Sequence, residues 1–165
     1  MFYFFIMKKE ILSGLAVLGL LAGCASTDKQ SSNEEQVVVE EVKEDAIDVL
    51  NKYSQENPVY FAFDSAKTND KQIVKNYEKY LEGVKAIKDV KISINGYCDK
   101  RGSEQYNMVL GQKRAEAVKK ALEKVVNNEI EVNVVSYGKN EYKEYSDNVE
   151  ENYQKNRKVE IIASK

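Results

Sequence analysis

Asn95-Gly96-Tyr97-Cys98-Asp99-Lys100-Arg101-Gly102-Ser103-Glu104-Gln105-Tyr106-Asn107-Met108-Val109-Leu110-Gly111-Gln112-Lys113-Arg114-Ala115 reads as a strand end, a tight loop flanked by glycines, and the first half of a helix. The strand begins upstream, where Val90-Lys91-Ile92-Ser93-Ile94 alternates strictly between apolar and polar residues. The helix continues downstream, with Ser103 placed to cap it and Leu110, Ala115, Val118, Leu122 and Val125 along its buried line. The loop displays Asp99 and the helix carries Arg114, fifteen positions later. Strand end, short loop and about three turns of helix can bring that acid and that base to one cleft. An acceptor-only carboxylate beside a planar donor fork suits a zwitterion that carries an ammonium and a carboxylate. The bland alternatives are a loop aspartate that only makes a turn and a helix arginine in an internal ion pair.

Working outward, Pro58 opens Val59-Tyr60-Phe61-Ala62-Phe63-Asp64, an alternating stretch read as the first strand. Thr68-Asn69-Asp70 supplies an N-cap signal for a helix with Ile73, Val74, Tyr77, Tyr80, Leu81, Val84 and Ile87 on one face. Ile130–Ser136 reads as a third strand, with Ile130, Val132 and Val134 on one side. Gly138–Gln154 is a polar, tyrosine-bearing loop with a short helix around Asn148–Tyr153, and Lys158–Ile162 is a last strand. The order βαβαβ–loop–β, with helices long enough to cross over, predicts an α/β (α+β) two-layer sandwich with its helices on one side of the sheet.

Composition narrows the function. The chain has 165 residues, room for one modest domain plus appendages, and a formal net charge of -2. No basic patch recommends nucleic acid as a partner. Histidine is absent, which removes Ser–His–Asp and Cys–His catalysis and the commonest zinc ligand, so no metal site is expected.

The amino terminus carries an address. Met7-Lys8-Lys9 begins a positive segment and Ile11–Leu21 is an apolar run, well short of the ~20 residues that span a bilayer. This is a secretory signal pattern, with Met7 as an alternative start. The run ends in Leu21-Ala22-Gly23-Cys24, the lipobox pattern, so Cys24 is expected to carry a thioether-linked diacylglyceryl group as the first mature residue. Several acyl chains at about 0.8 kcal/mol per buried methylene hold a protein firmly on a membrane. The alternative is an ordinary signal peptide with an incidental cysteine. Residues 1–23 are thus read as signal, 24–57 as lipidated terminus and tether, and 58–165 as the domain. Ala25–Asn33 is polar and expected to be disordered. Within Glu34–Tyr53, Val39, Val42, Ala46, Val49, Leu50 and Tyr53 recur at helical spacing among acidic residues. That helix either packs on its own domain, acts as a spacer, or serves docking or homodimer formation.

Ile94 through Gly102, Tyr106-Asn107, Leu110-Gly111, Arg114-Ala115 and Val118 together resemble the signature of OmpA-like peptidoglycan-binding domains. Val59–Asp64, Val135-Ser136-Tyr137-Gly138-Lys139 and Lys155-Asn156-Arg157-Lys158 extend the resemblance to the lipoprotein branch of that family, over about Val59–Ile162. The resemblance implies a mixed sheet and non-covalent binding of the cell-wall peptide stem at diaminopimelate, whose side chain ends in an ammonium and a carboxylate on one carbon. It makes Asp99 and Arg114 the diaminopimelate-binding pair. It adds Asn107, Arg101 and Leu110 from the same stretch, and Asp64, Asn156 and Arg157 lining the same cleft. It further implies outer-membrane attachment in a Gram-negative bacterium, a domain facing the periplasm, and partnership with a TolB-like periplasmic protein and other Tol components.

The chain departs from the family in two places. Gly96-Tyr97-Cys98-Asp99 stands where histidine commonly follows the glycine, leaving Tyr97 a packing role, and Cys98 reads as a small buried residue. The family's Asn-Arg-Arg is Asn156-Arg157-Lys158 here. Two other classes remain: a wall anchor outside the Tol system, and an enzyme acting on the wall. For the latter the sequence offers no nucleophile–base pair.

Overall fold

The computed structural model describes residues 46–127 and 129–165. The signal peptide, the lipobox with Cys24 and the polar tether lie outside the described residues, as does the acidic segment before Ala46.

Four strands form one sheet in the order β1-β4-β2-β3, from β1 (Val59–Tyr60), β2 (Lys91–Tyr97), β3 (Glu131–Gly138) and β4 (Lys158–Ser164). The β2–β3 pair is parallel, joined through a helix, whereas β4 runs antiparallel to both β1 and β2. Helices α2 (Asp70–Lys85) and α3 (Glu104–Val126) begin on side-chain caps from Asn69 and Ser103, each accepting a first-turn N–H. Their buried faces meet the alternate residues Ile92, Ile94, Val159, Ile161 and Ala163 of the sheet in one core. The mixed sheet with helices on that face is the architecture expected from the sequence.

Three elements differ from expectation in ways that matter. The first strand is only two residues long. The chain leaves the sheet after Phe61, whose N–H still reaches Arg157 O, and turns at Asp64 with φ 53. Phe63 and Asp64 therefore sit on a loop instead of alternating across a strand. The short helix near the carboxyl end, α4 (Val149–Asn156), runs slightly past its expected end and is capped by Asn148.

The packed body also starts before Pro58, where the sequence reading opened the domain. A helix with described residues 46–56, α1, buries Leu50 and Ser54. It covers the outer edge of β4 beyond β1. Asn51 donates Nδ2 to Ala163 O and accepts from Ala163 N, while Ser54 Oγ accepts from Ile161 N. An unpaired strand edge is a template for aggregation, and these side chains take the place of a neighbouring strand. Tyr53 stacks on Tyr80 and meets Tyr77 edge-on. Burial pushes the Tyr77 hydroxyl up to about 12, and it donates to Asn57 O. Of the readings for the acidic helix, its described part takes the packed one.

Candidate functional site

The site lies where β2 ends and α3 begins. A Cβ at Gly96 would lie 2.1 Å from Gly111 O, so strand and helix meet backbone to backbone there. Between β2 and β3 the register slips at Gly96/Tyr97, with Tyr137 the extra residue. Tyr97 stacks on Tyr137 at 5.1 Å, the packing role expected of it. The Cys98 N–H then closes on Gly138 O at 2.7 Å. The loop turns at Gly102 with φ 84 and enters α3 at Ser103. Asn107 fastens it from inside, donating to Arg101 O at 2.7 Å and Ser103 O at 3.0 Å.

A cavity of about 140 Å³ opens here, lined by residues of that loop, of α3 and of the Phe63–Asp64 turn. Asp99, Arg114, Asn107, Asp64, Arg101 and Leu110 all line it, as do Phe63, Cys98, Gly102 and Tyr106. The alternation of Val59–Asp64 places Phe63 on a strand and carries no signal for the early exit from the sheet that brings it to the cavity. Tyr106 is half exposed at the rim, where its hydroxyl donates to Asp64.

Asp99 is 4% exposed. Its Oδ1 accepts from Arg101 N at 3.1 Å and Nε at 3.0 Å. Its Oδ2 accepts from Arg101 Nη2 at 2.6 Å and Arg157 Nη1 at 3.2 Å. Burial alone pushes the carboxyl up, but the Arg101 and Arg157 hydrogen bonds outweigh it and hold the group below the ordinary carboxylate range. Arg157, buried and outside the cavity lining, also donates Nε to Phe61 O, so it reaches Asp99 from the sheet side.

Arg114 is 1% exposed and does not present an open fork. Its Nε donates to Ser65 O at 2.8 Å, Nη1 to Tyr97 O at 2.9 Å and Cys98 Sγ at 3.4 Å, and Nη2 to Ala62 O at 3.2 Å. Four of the five guanidinium N–H groups are thus engaged, which leaves one on Nη2 and rules out two parallel bonds to a ligand without rearrangement. Burial pulls its pKa down, with the nearby Cys98 and Asp99 acting against that. Cys98 is the small buried residue expected, its thiol pushed up by burial and donating to Asn107 O.

Asn156 is not part of the cavity lining. It is buried and donates Nδ2 to Lys143 O and Asn152 O while accepting Lys143 N, bracing the loop ahead of α4. Among the described residues no cluster of three His, Cys, Asp or Glu could hold a metal, no helix is long and apolar enough to cross a membrane, and every buried side-chain nitrogen or oxygen is bonded.

Fold and cavity together define a small α/β binding domain with a charged pocket at a strand end. The model of the OmpA family matches residues 60–157. The chain is 37% identical over 136 residues to the peptidoglycan-associated lipoprotein of Buchnera aphidicola, covering 81% of this chain and 77% of the relative. To that of Pasteurella multocida it is 33% identical over 136 residues, covering 80% and 84%. Among solved structures, the crystal structure of the peptidoglycan-associated lipoprotein from Burkholderia pseudomallei superposes with a TM-score of 0.56 at 32% identity, over 64% of this chain and 88% of that one. The C-terminal domain of Helicobacter pylori MotB superposes with 0.55 at 27% identity, over 66% and 84%. The chain belongs to the OmpA family, in its peptidoglycan-associated lipoprotein branch, and like that family it is non-enzymatic.

Proposed function

We propose that this protein is an outer-membrane lipoprotein, acylated at Cys24, that binds peptidoglycan at diaminopimelate and so ties the outer membrane to the cell wall as part of the Tol–Pal system. The observation that carries the binding is a buried carboxylate, Asp99, paired with two arginines and lining a cavity that Arg114 also lines. Asp99 is the acceptor for the ligand ammonium. Arg114 supports the ligand carboxylate through its charge and its remaining N–H, and Asp64 and Leu110 wall the cavity. Arg157 holds Asp99 in place, and Asn107 holds the loop. The names of the relatives support the association with peptidoglycan and the lipid anchor. Roughly twenty residues between Cys24 and Ala46, where the packed body is already present, span on the order of 70 Å when extended, enough to reach from a membrane to a layer beyond it. Weak individual bonds suffice because many copies act on one wall.

Co-sedimentation with purified sacculi tests this. Asp99→Ala should stay in the supernatant while the unaltered chain pellets. Sacculi with diaminopimelate stems should also pellet far more protein than sacculi with lysine stems, since lysine lacks the second carboxylate. Equal pelleting of both wall types would mean the cavity recognises something else.

The likeness to MotB favours a second reading, a wall anchor that works outside the Tol–Pal system. Capture of a purified TolB-type protein by this chain separates the two. Binding supports the Tol assignment, and failure to bind alongside intact sacculus binding supports the other.

A further inference from the structure

The Asp99 carboxylate is already full. Its two oxygens accept four hydrogen bonds, three from Arg101 and one from Arg157, and about four acceptor sites are all that a carboxylate offers. An incoming ammonium finds no lone pair on Asp99 until one arginine withdraws.

The two arginines are not equivalent. The Arg157 side chain is 8% exposed and anchored to backbone through Phe61 O. The Arg101 side chain is 33% exposed, and beyond Asp99 its guanidinium meets two ring faces and one further carboxylate among the described residues. Its guanidinium carbon lies 4.1 Å from the Phe63 ring centre and 4.2 Å from that of Tyr153, so it sits against two aromatic rings at once. The further carboxylate is Glu150, exposed, whose Oε2 is 3.9 Å from Arg101 Nη1. Glu150 Oε1 is also 3.4 Å from Arg157 Nη1, so it already belongs to the same charge network.

We propose that Arg101 is a latch that occupies the ligand's ammonium seat in the free protein, and that binding exchanges the Arg101–Asp99 pair for an Arg101–Glu150 pair. This rests on Asp99 being the ammonium acceptor and adds how that seat is kept and released. The exchange swaps one cation for another on a buried carboxylate, so Asp99 is never left without a counter-charge, the state a buried ion tolerates least. The guanidinium moves outward along the Phe63 and Tyr153 rings without losing either. Because the latch bridges the Phe63 turn, the Asp99 loop and α4, it also ties three chain segments together while the cavity is empty of ligand. Glu150, Tyr153 and Phe63 thereby acquire roles that the binding motif does not give them.

The test titrates the full chain with the tripeptide L-Ala–γ-D-Glu–meso-diaminopimelate by calorimetry, and follows the arginine Nε–H signals by NMR. Arg101→Met keeps a stem against the two rings but removes the competing cation, and should bind about fivefold tighter, the effect of losing one partly exposed pair. Glu150→Gln removes the outer seat and should bind about twofold more weakly. In the unaltered chain the Arg101 Nε–H signal should shift and exchange faster at saturation while that of Arg157 stays. Weaker or unchanged binding by Arg101→Met, or an Arg101 signal that keeps its free position at saturation, overturns the latch alone. Absence of binding, or equal binding by Asp99→Ala, overturns the reading of the site and the latch with it. The NMR arm needs no substitution, so a variant that fails to fold leaves the outcome decided.

Discussion

Four hydrogen bonds converge on the Asp99 carboxylate and four leave the Arg114 guanidinium, so both residues hold the fold as well as the cavity. Their substitutions therefore need a stability readout beside the binding one. The Asp99 carboxyl titrates below its ordinary range because Arg101 and Arg157 outweigh its burial. A group with a lowered folded pKa stabilises the protein at pH above its unfolded value, about 4, and loses that contribution as pH falls through the folded value. The gap in urea midpoint between the parent and Asp99→Asn should thus be widest near neutral pH and close as the pH drops below about 4. A gap that stays constant across that range would remove Asp99 as its source. Arg114→Lys keeps the charge but loses the fork that spans Ala62, Ser65 and Tyr97, and should cost about 2–3 kcal/mol in urea unfolding through unsatisfied carbonyls. That both residues could reach one cleft was legible in the sequence, from an acid in a glycine-flanked loop before a capped helix with a later arginine. That Arg114 spends its donors on backbone was not. Those carbonyls come from the Phe63 turn and the strand end, up to 52 residues away in the chain.

At the level of elements, the contact of β2 with α3 decides where the cavity opens. Gly96→Ala pushes a methyl into the Gly111 backbone and should destabilise by about 1–3 kcal/mol while also weakening wall binding, because α3 carries Arg114 and Asn107. Unchanged thermal stability of Gly96→Ala would show that the two backbones can part freely. Helix α1 acts on the far edge of the same sheet. Asn51→Ala leaves both Ala163 backbone groups without their side-chain partner and should cost about 1–3 kcal/mol in a urea melt, with sacculus pelleting intact. The helices and inner strands were legible because their periods are regular and their caps, Asn69 and Ser103, sit where the apolar pattern begins. The first strand was not. Val59–Asp64 alternates as a strand does, yet it has only β4 to pair with, and the turn at Asp64 draws Phe63 to the cavity instead.

For the molecule as a whole, a chain starting at Pro58 lacks Leu50, Asn51, Tyr53 and Ser54. It should unfold on the order of 5 kcal/mol more easily than one starting at Ala46, from one buried leucine and three lost hydrogen bonds. Equal urea midpoints for the two would make α1 an appendage. By itself the sequence determined the α/β class, the helix starts, the loop that bears Asp99 and the absence of histidine chemistry, because each follows from spacing or composition within a few turns of chain. It also carried the family, since the motif residues are local to Ile94–Val118. Only the tertiary structure decided that α1 seals the sheet edge and that Asn156 braces a loop instead of facing the cavity. Only the fold, likewise, shows that Arg101 pairs with Asp99 while lying against Phe63 and Tyr153. Those outcomes depend on which hydrogen-bond acceptors and ring faces distant segments bring together, and periodicity along the chain holds no record of that.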